Sequence, residues 1–218
     1  MYNNGTERLE DGFGRFQMRG RLMDEQKLIA SASKGDVRAF NQLVILYQSI
    51  AYNLAYRILG DADAAADATQ DAFVSAFKAM SRFRGGSFKA WVLRIVTNAC
   101  YDQLRARRRR PTSSLDDLEG DADHTPYLLD PSERPDEYTE RRELDKVIQA
   151  GISDLPPDQR VVLVLSDVQG MDYQEIAQVT GLALGTVKSR LSRGRAKLRD
   201  YMLAHRELLP SQYRLRNG

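Results

Sequence analysis

The sequence predicts an all-α protein in which a flexible acidic linker joins two small helical domains. Apolar residues recur at steps of three and four along most of the chain, which is the spacing of one face of an α-helix. No segment shows the alternation of polar and apolar residues that is typical of a strand. Residues 111–137 interrupt the helical pattern, because they are rich in Pro, Ser and Asp and contain nine acidic residues against one arginine.

The composition excludes several classes of protein. With 218 residues, 42% of them hydrophobic, the chain is long enough for two small domains with buried cores. Its one cysteine cannot form an internal disulfide or a multi-cysteine zinc site, and its two histidines lie far apart. No apolar run approaches the roughly 20 residues of a membrane span, and the first residues lack the apolar core of a signal peptide. We therefore expect a cytoplasmic protein without a metal, a cofactor, membrane insertion or a small-molecule substrate.

The first domain is expected at residues 23–110, after a Gly- and Arg-rich flexible extension at residues 1–22. One short and three longer helical segments predict a bundle of about four helices. Gly60 and Asp61 separate the first two long segments, and Ser87 is placed to cap the third. After the short helix of Glu25–Ser33, the expected core positions are Val37, Phe40, Val44, Tyr47, Ala51, Leu54 and Ile58; then Ala66, Thr69, Phe73, Ala76, Met80 and Phe83; then Phe88, Val92, Ile95 and Ala99.

The second domain is expected at residues 138–204, where helical periodicity resumes, and residues 205–218 form a tail of unassigned role. Pro156 and Pro157 favour the start of a short helix, which we expect at Asp158–Leu165. The apolar positions of the helix before it are Leu144, Ile148 and Ile152.

Two more helices of this domain are separated by a short turn. Asp172 precedes Glu175 by three residues, which is the spacing of a capping box, and Gly181 ends the helix in a tight turn. A second helix starts somewhere within Leu182–Thr186 and continues through Gly185–Arg199, a stretch with six basic residues and no acidic one. Two helices joined by a short turn that contains glycine form the helix-turn-helix pattern.

The basic helix has two distinct faces. At 100° per residue, Val187, Leu191 and Leu198 fall together and are expected to face the core. The opposite face carries small polar residues and one arginine bordered by cations, which suits a helix laid into the major groove of DNA. A solvated charged helix is the alternative, but such helices usually mix both signs of charge. The candidate DNA-contacting residues are Lys188, Ser189, Arg190, Ser192, Arg193, Lys197 and Arg199.

Four segments of the chain together resemble the sequence of a known protein family. They lie in two blocks that span roughly residues 24–204. They are DATQDAF, RFRGGSFKAWVLRIVTN, DQLRARRRR and LPPDQRVVLVLSDVQGMDYQEIAQVTGLALGTVKSRLSRGRAKLR. The first three resemble, in the right order, the first domain of bacterial sigma factors of the extracytoplasmic-function (ECF) group, and the fourth resembles their promoter-reading second domain. The extension lies outside the likeness, and Ala183 stands where many members carry proline.

The resemblance implies a role for each part of the chain. In that group the first domain binds the clamp helices of core RNA polymerase and opens promoter DNA at the −10 element. The second domain reads the −35 element as duplex and holds the polymerase flap, and the linker threads into the main channel of the polymerase. Control by an anti-sigma factor is implied as well, and enzymatic activity is not.

Residues of the first domain fit the implied roles. Asp67, Gln70 and Asp71 share one helix face and could accept charge-assisted hydrogen bonds from the polymerase. Without the resemblance, the same three residues would be interpreted as an ordinary solvated acidic face. Asn98 is interpreted as a polar residue that interrupts an apolar helix face, where its amide could hold an unstacked −10 base. The cations expected to follow the DNA strand are Lys89, Arg94 and Arg105, with Arg107–Arg110. Phe88, Trp91 and Cys100 are interpreted as core residues.

Two other classes of function are weighed against this one. A stand-alone helix-turn-helix regulator usually binds paired half-sites as a dimer, and the sequence shows no obvious dimerisation coiled coil. A nucleic-acid enzyme would need clustered carboxylates or metal ligands, and the acid cluster of this sequence lies in the linker. The linker carboxylates either mimic phosphates in the polymerase or keep the tether soluble, and the sequence does not decide between these.

Overall fold

The computed structural model describes residues 24–109 and 135–209, and all regular structure within these two ranges is helical. The predicted all-α fold class is therefore confirmed. The helices are α1 at 24–32, α2 at Val37–Leu59, α3 at Ala62–Ala79, α4 at Phe88–Arg109, α5 at Pro135–Asp154, α6 at Pro157–Leu163, α7 at Tyr173–Thr180 and α8 at Leu184–Ala204. Short turns lie at Met80–Arg82 and Arg206–Leu208, which are 3-10 helical, and at Val164–Val168, which is π-helical.

Capping residues set the limits of α2 and α3. The Asp36 side chain accepts hydrogen bonds from two backbone N–H groups in the first turn of α2, at 2.9 and 3.2 Å. Gly60 ends α2 in the left-handed conformation, with φ at +71°, which favours glycine. The Asp61 carboxylate accepts a hydrogen bond from the N–H of Ala64 at 2.7 Å and so caps α3. The break predicted at Gly60 and Asp61 thus ends one helix and starts the next.

Helices α1–α4 form the first helical group. Ser87 caps α4 as predicted, since its Oγ accepts a hydrogen bond from the N–H of Ala90 at 3.1 Å. The buried face of α4 centres on Leu93, Val96 and Cys100, because α4 packs against α2 and α3 on one side and against α7 on the other. The fully buried side chains around this face include Leu43, Leu54, Ile58 and Met80.

Helices α5–α8 form the second helical group, in which α8 packs against α5, α6 and α7. Gly194 lies on the buried face of α8. A Cβ atom there would lie 3.5 Å from the carbonyl oxygen of Gln159 and 3.5 Å from Cδ1 of Leu163. Both are ordinary contact distances, so alanine would fit at this position, whereas a longer side chain would have to displace α6 or α8.

The two helical groups pack against each other. Helix α2 contacts α5 and α6, and α4 contacts α7. Buried residues of both groups form one continuous apolar cluster. The contacts between the two groups are therefore made by α2 with α5 and α6, and by α4 with α7. The flexible extension predicted at 1–22, the linker up to residue 134, Arg110 and the tail after Leu209 lie outside the described residues.

Several positions and helix limits differ from the prediction. Val37 is 54% exposed and Ala66 is also exposed, so neither is a core residue. Helix α5 begins at Pro135, three residues before the predicted domain start at 138. The helix predicted at Asp158–Leu165 is α6 followed by the π-helical turn. Periodicity locates a helix well but its ends poorly, because the ends depend on a few local hydrogen bonds.

Candidate nucleic-acid interface

Helix α7 and the turn after it are built by local hydrogen bonds. The Asp172 carboxylate accepts from the N–H groups of Gln174 and Glu175 at 2.7 and 2.8 Å, and Glu175 Oε2 accepts from the N–H of Asp172 at 2.9 Å. This is the reciprocal capping box that the sequence predicts. Gly181, at φ +71°, ends the helix and turns the chain toward α8. The two helices therefore form the predicted helix-turn-helix.

Helix α8 presents the predicted polar ridge to solvent. It begins at Leu184 without a side-chain cap, which fits the lack of a strong capping residue in the sequence. Val187 and Leu191 are buried, Leu198 is half-buried, and Ser189, Ser192 and Arg193 are exposed on the other side. Exposed small residues beside an arginine leave room for a nucleic-acid groove to approach the helix.

The predicted cations of α8 differ in their surroundings. Lys188, Lys197 and Arg199 are exposed, and Lys188 Nζ lies 5.9 Å from the ring centroid of Tyr173. Arg193 lies along its own helix, with Nε donating to the carbonyl oxygen of Ser189 at 3.2 Å. Arg190 is only half-exposed, because its Nε lies 3.2 Å from Oδ2 of Asp158 at the start of α6. Arg190 therefore joins α8 to α6, a role that sequence reasoning did not foresee.

Arg195 is a basic residue that the candidate set omits. Its Nε donates to Oδ2 of Asp167 at 2.9 Å, its Nη2 donates to Oδ1 of the same carboxylate, and Nη2 also lies 3.4 Å from Ser166 Oγ. The hydrogen bonds from Arg195 hold the pKa of Asp167 below its usual value. Arg195 lines a small surface pocket with Lys188, Ser192 and Arg199. Asp167 lies 28 residues before Arg195, which is too far for helical spacing to indicate a contact, so the sequence does not predict this ion pair.

The candidate −10 residues on α4 lie mostly on its outer side. Arg94, Asn98 and Arg105 are all exposed, and Arg105 Nη1 lies 3.0 Å from Oδ1 of Asp102. The interpretation that Asn98 interrupts an apolar helix face is wrong. The polar residue on the buried face is Thr97, which is fully buried, because α4 is covered from two directions and its buried face is wider than one stripe.

Lys89, the fourth candidate −10 residue, is less exposed than Arg94, Asn98 and Arg105. It is half-buried, and its Nζ donates a hydrogen bond to the backbone carbonyl oxygen of Gln169 at 3.0 Å. Gln169 follows the π-helical turn of the second helical group. Trp91 and Phe88 belong to an aromatic cluster with Phe83, with ring centroids 5.2–5.7 Å apart, which agrees with their interpretation as core residues.

The side chains of the acidic patch, Asp67, Gln70 and Asp71, are all exposed on α3. The opposite side of the helix is buried through alanines, which bring α3 close to α2 and α4. Gln70 also lines an open apolar groove of about 660 Å³ between α2 and α3. The groove is lined by exposed apolar side chains that the sequence interpretation missed, among them Val37, Val74 and Phe77, which are 54%, 47% and 40% exposed.

Neither a metal site nor a membrane span is found in the described part of the chain. No group of three or more His, Cys, Asp or Glu side chains in it could hold a metal ion. None of the described helices is long and apolar enough to cross a membrane.

These features define a helix-turn-helix DNA-binding protein with a further helical group, and known families match both parts. Residues 43–110 match the family described as Sigma-70 region 2, and residues 146–198 match Sigma-70 region 4. The sigma-H factor of Pseudomonas aeruginosa is 38% identical over 178 residues, which cover 78% of this chain and 90% of that protein. The ECF sigma-E factor of Escherichia coli K12 is 35% identical over 79% of this chain and 91% of its own length.

Further relatives agree with these matches. The ECF sigma factor SigE of Mycolicibacterium smegmatis is 35% identical over 176 residues, which cover 81% of this chain and 66% of that protein. CnrH, solved in complex with the cytosolic domain of CnrY, superposes with a TM-score of 0.60 at 30% identity, over 84% of this chain and 99% of CnrH. The sigma factor RpoE of Bartonella quintana, solved with the anti-sigma factor NepR, has the same fold, with a TM-score of 0.56 at 24% identity, over 78% of this chain and 99% of RpoE.

The chain belongs to the ECF group of RNA polymerase sigma factors. It is therefore a specificity factor for transcription initiation and not an enzyme.

Proposed function

We propose that this chain joins core RNA polymerase in the cytoplasm and selects promoters by reading two DNA elements with two different surfaces. The observation that carries the proposal is the exposed ridge of α8, which stands on a helix-turn-helix and whose stretch Gly185–Arg199 contains no acidic residue. In this proposal the first helical group, with residues 23–110, is the polymerase-binding and −10 domain, and the second, with residues 138–204, is the −35 domain. The linker threads through the polymerase, and the second domain holds its flap.

The −35 surface is proposed to be the ridge of α8. Ser189, Ser192 and Arg193 are exposed along it and could reach base edges, while the exposed cations Lys188, Lys197 and Arg199 contact phosphates. Arg190 is also included in the proposed surface. Its ion pair with Asp158 in addition connects α8 to α6. Phosphate contacts make binding salt-dependent, and base contacts make it sequence-dependent.

The −10 surface is proposed to lie on α4. Arg94, Asn98 and Arg105 are exposed and could follow a single DNA strand, with Asn98 holding one base that has left the stack. Lys89 is included, although its ammonium group is hydrogen-bonded to the carbonyl oxygen of Gln169 and would have to leave it to meet DNA.

The polymerase surface is proposed to be the acidic patch on α3. Three exposed acceptor side chains on one helix face suit a basic partner helix, and the neighbouring groove offers apolar area for the same partner. An anti-sigma factor is proposed to control access to these surfaces, as the resemblance implies.

The test reverses the charges of the patch with Asp67→Lys and Asp71→Lys together. Because both side chains are exposed, the fold should survive, and circular dichroism should be unchanged. Competition for core polymerase should show a large loss of affinity. A control is Glu143→Lys, a charge reversal at an exposed position of α5, in the other helical group. Unchanged affinity of the double variant, with a normal spectrum, would exclude the patch as the docking site.

A pull-down with core polymerase separates the sigma factor from the stand-alone regulator. A sigma factor is retained by core polymerase without DNA, whereas a regulator would bind duplex DNA but not the polymerase.

A further inference from the structure

Two arginines of α8 each form an ion pair with a carboxylate from one adjoining segment of the chain. Arg190 Nε lies 3.2 Å from Oδ2 of Asp158, in the first turn of α6. Arg195 donates from Nε and Nη2 to the two carboxylate oxygens of Asp167, in the π-helical turn that follows α6. Two parallel hydrogen bonds of this kind fix the orientation of an arginine as well as its position. The segment that packs under α8 therefore holds it through two separate carboxylates.

The two ion pairs lie on opposite edges of the buried stripe of α8. At 100° per residue, Arg190 and Arg195 are about 140° apart around the helix. The buried residues Val187 and Leu191 lie between them, and the exposed ridge lies on the far side of the helix. A rotation of α8 about its own axis would move both arginines away from their carboxylates. The pairs are thus placed to resist rotation in either direction.

Apolar packing alone fixes the rotation of α8 weakly. The buried residues of the helix are Val187, Leu191 and Gly194, and Leu198 is only half-buried. Gly194, at the contact with α6, has no side chain that could interlock with its neighbour. Burial of apolar surface has no preferred direction, whereas a hydrogen bond weakens when its angle changes. The ion pairs therefore supply an orientation that the apolar stripe does not.

The surroundings of Asp167 suit a positioning role. It lies in a π-helical turn, a rare conformation that occurs frequently at functional sites. The hydrogen bonds from Arg195 hold the pKa of Asp167 below its usual value, so the carboxylate is charged at neutral pH. The side chains of Asp167 and Arg195 are 35% and 51% exposed. Ion pairs so accessible to water add little to the free energy of unfolding, so the fold does not depend on this one.

The pair also limits the contact of Arg195 with DNA. Arg195 lines the same surface pocket as Lys188, Ser192 and Arg199, all of which belong to the proposed DNA-binding surface. A free guanidinium at this place would add a phosphate contact, which strengthens binding to every duplex whatever its sequence. Pairing with Asp167 therefore favours base recognition over binding without sequence preference.

We propose that Asp158 and Asp167 are positioning residues for −35 recognition: through Arg190 and Arg195 they hold α8 at the rotation that directs its ridge toward the base edges. The proposal rests on the proposed assignment of α8 as the −35 surface. Neither carboxylate contacts DNA, and each acts through its arginine. Loss of a pair lets α8 rotate and displaces all ridge side chains together, so base preference falls at every position that the ridge reads.

The test measures the affinity of the holoenzyme, with the full chain, for −35 duplexes that carry every single base substitution. In Asp167→Asn, the ratio of cognate to substituted affinity should fall several-fold at all positions read by the ridge. It should fall further when Asp158→Asn is added. Affinity for the substituted duplexes should rise, and the slope of log K against log salt should become steeper by about 1, because Arg195 is free to meet a phosphate. Asp167→Glu keeps the carboxylate and should retain most of the preference.

Asp200→Asn is the matched control. Asp200 is exposed, and its Oδ1 lies 3.3 Å from Nη2 of Arg199, its neighbour on the same helix. The change removes a carboxylate from an arginine of α8, but this pair connects α8 to no other element and cannot fix its rotation. Asp200→Asn should therefore strengthen binding to all duplexes alike and leave base preference unchanged. Circular dichroism of all variants should match that of the parent.

Several results would overturn the proposal. Unchanged preference in a normally folded Asp167→Asn would show that the pair does not orient α8, and a uniform loss of affinity would show that it only stabilises the fold. Relaxation at a single base pair would indicate one lost contact and not a rotation. Equal loss of preference in Asp200→Asn would assign the effect to a freed arginine. If the parent itself shows no preference among the duplexes, the −35 assignment of α8 fails and the proposal fails with it, which is seen without any variant.

Discussion

Arg193 and Arg199 have the same chemistry but occupy different places on α8. Arg193 stands on the exposed ridge and lies against Ser189, whereas Arg199 lies at the border of the ridge, with Nη2 3.3 Å from Oδ1 of Asp200. A ridge residue can reach base edges and a border residue meets phosphates. The two arginines should therefore separate specificity from affinity.

Arg193→Ala should weaken binding to the −35 element by about 1–3 kcal/mol and relax base preference at one or two positions. The measurement is the affinity of the holoenzyme for a set of −35 duplexes that carry every single base substitution. A uniform loss across the set would show that Arg193 contacts phosphate and not a base.

Arg199→Ala should weaken all of these duplexes similarly and reduce the slope of log K against log salt by about 1. It serves as the matched control for Arg193→Ala, because it removes an exposed arginine from the same helix. Indistinguishable profiles of the two variants would contradict the division of α8 into ridge and border.

Asn98→Ala should spare the closed promoter complex and impair the open one. Its amide is exposed on α4 and is proposed to hold a base only after that base has left the stack, so duplex binding does not depend on it. Permanganate footprinting of the cognate promoter, with Gln42→Ala as a control at an exposed amide on α2, measures the melting.

A template that is already mismatched at −10 sharpens this test. Pre-opening removes the cost of unpairing but not the need to recognise the base, so rescue should be partial and −10 preference should relax. Normal melting of duplex with unchanged preference would mean that Asn98 has no part in base recognition.

At the scale of single residues, the sequence predicted contacts that are local along the chain. The Asp172–Glu175 box and the Ser87 cap involve residues three apart, so residue type and spacing are enough to find them. Arg57 and Arg160 make contacts to residues 88 to 102 positions away, and no local pattern marks such an arginine as buried. The sequence therefore predicted the exposed ridge of α8 but not the contacts of Arg57 and Arg160 between the two helical groups.

At the scale of whole helices, capping decides how firmly the helix-turn-helix is held. Asp172→Ala removes the acceptor of two hydrogen bonds at the start of α7 and should lower the free energy of unfolding by about 1 kcal/mol. Denaturant unfolding followed by circular dichroism measures the change. Gln174→Ala, at an exposed position of the same helix, should have little effect. Equal stability of both variants would show that the capping box does not stabilise the fold.

The sequence predicted which segments are helical better than it predicted which face of each helix is buried. The stripe of Phe88, Val92, Ile95 and Ala99 is one edge of a wide buried surface on α4, centred on Val96 and Cys100. Periodicity assumes one partner per helix, and α4 has partners on two sides, which is why Asn98 was placed on the wrong face. The prediction for Val37 was wrong for a different reason: its side chain borders the open groove between α2 and α3, although Ala39 and Phe40 of the same turn are buried.

At the scale of the whole molecule, the residues before Met23 should be dispensable for basal transcription. Glu25, near the start of the described α1, already anchors that helix, because the Tyr47 hydroxyl donates to its carboxylate at 2.7 Å. A chain that starts at Met23 should therefore fold normally and transcribe at the rate of the full chain in a reconstituted assay. A large loss of activity with an unchanged circular dichroism spectrum would show that the extension makes a functional contact.

Cys100 lies at the centre of the buried face of α4, and its side chain is fully buried. Burial raises the pKa of its thiol to about 12, so the thiol stays protonated at neutral pH. Because the thiolate is the form that reacts with peroxide, electrophiles and disulfides, this thiol is inert in the folded protein. The chain has no other cysteine. Oxidative stress that reaches this transcription factor through thiol chemistry must therefore be sensed by a partner protein and passed on through binding.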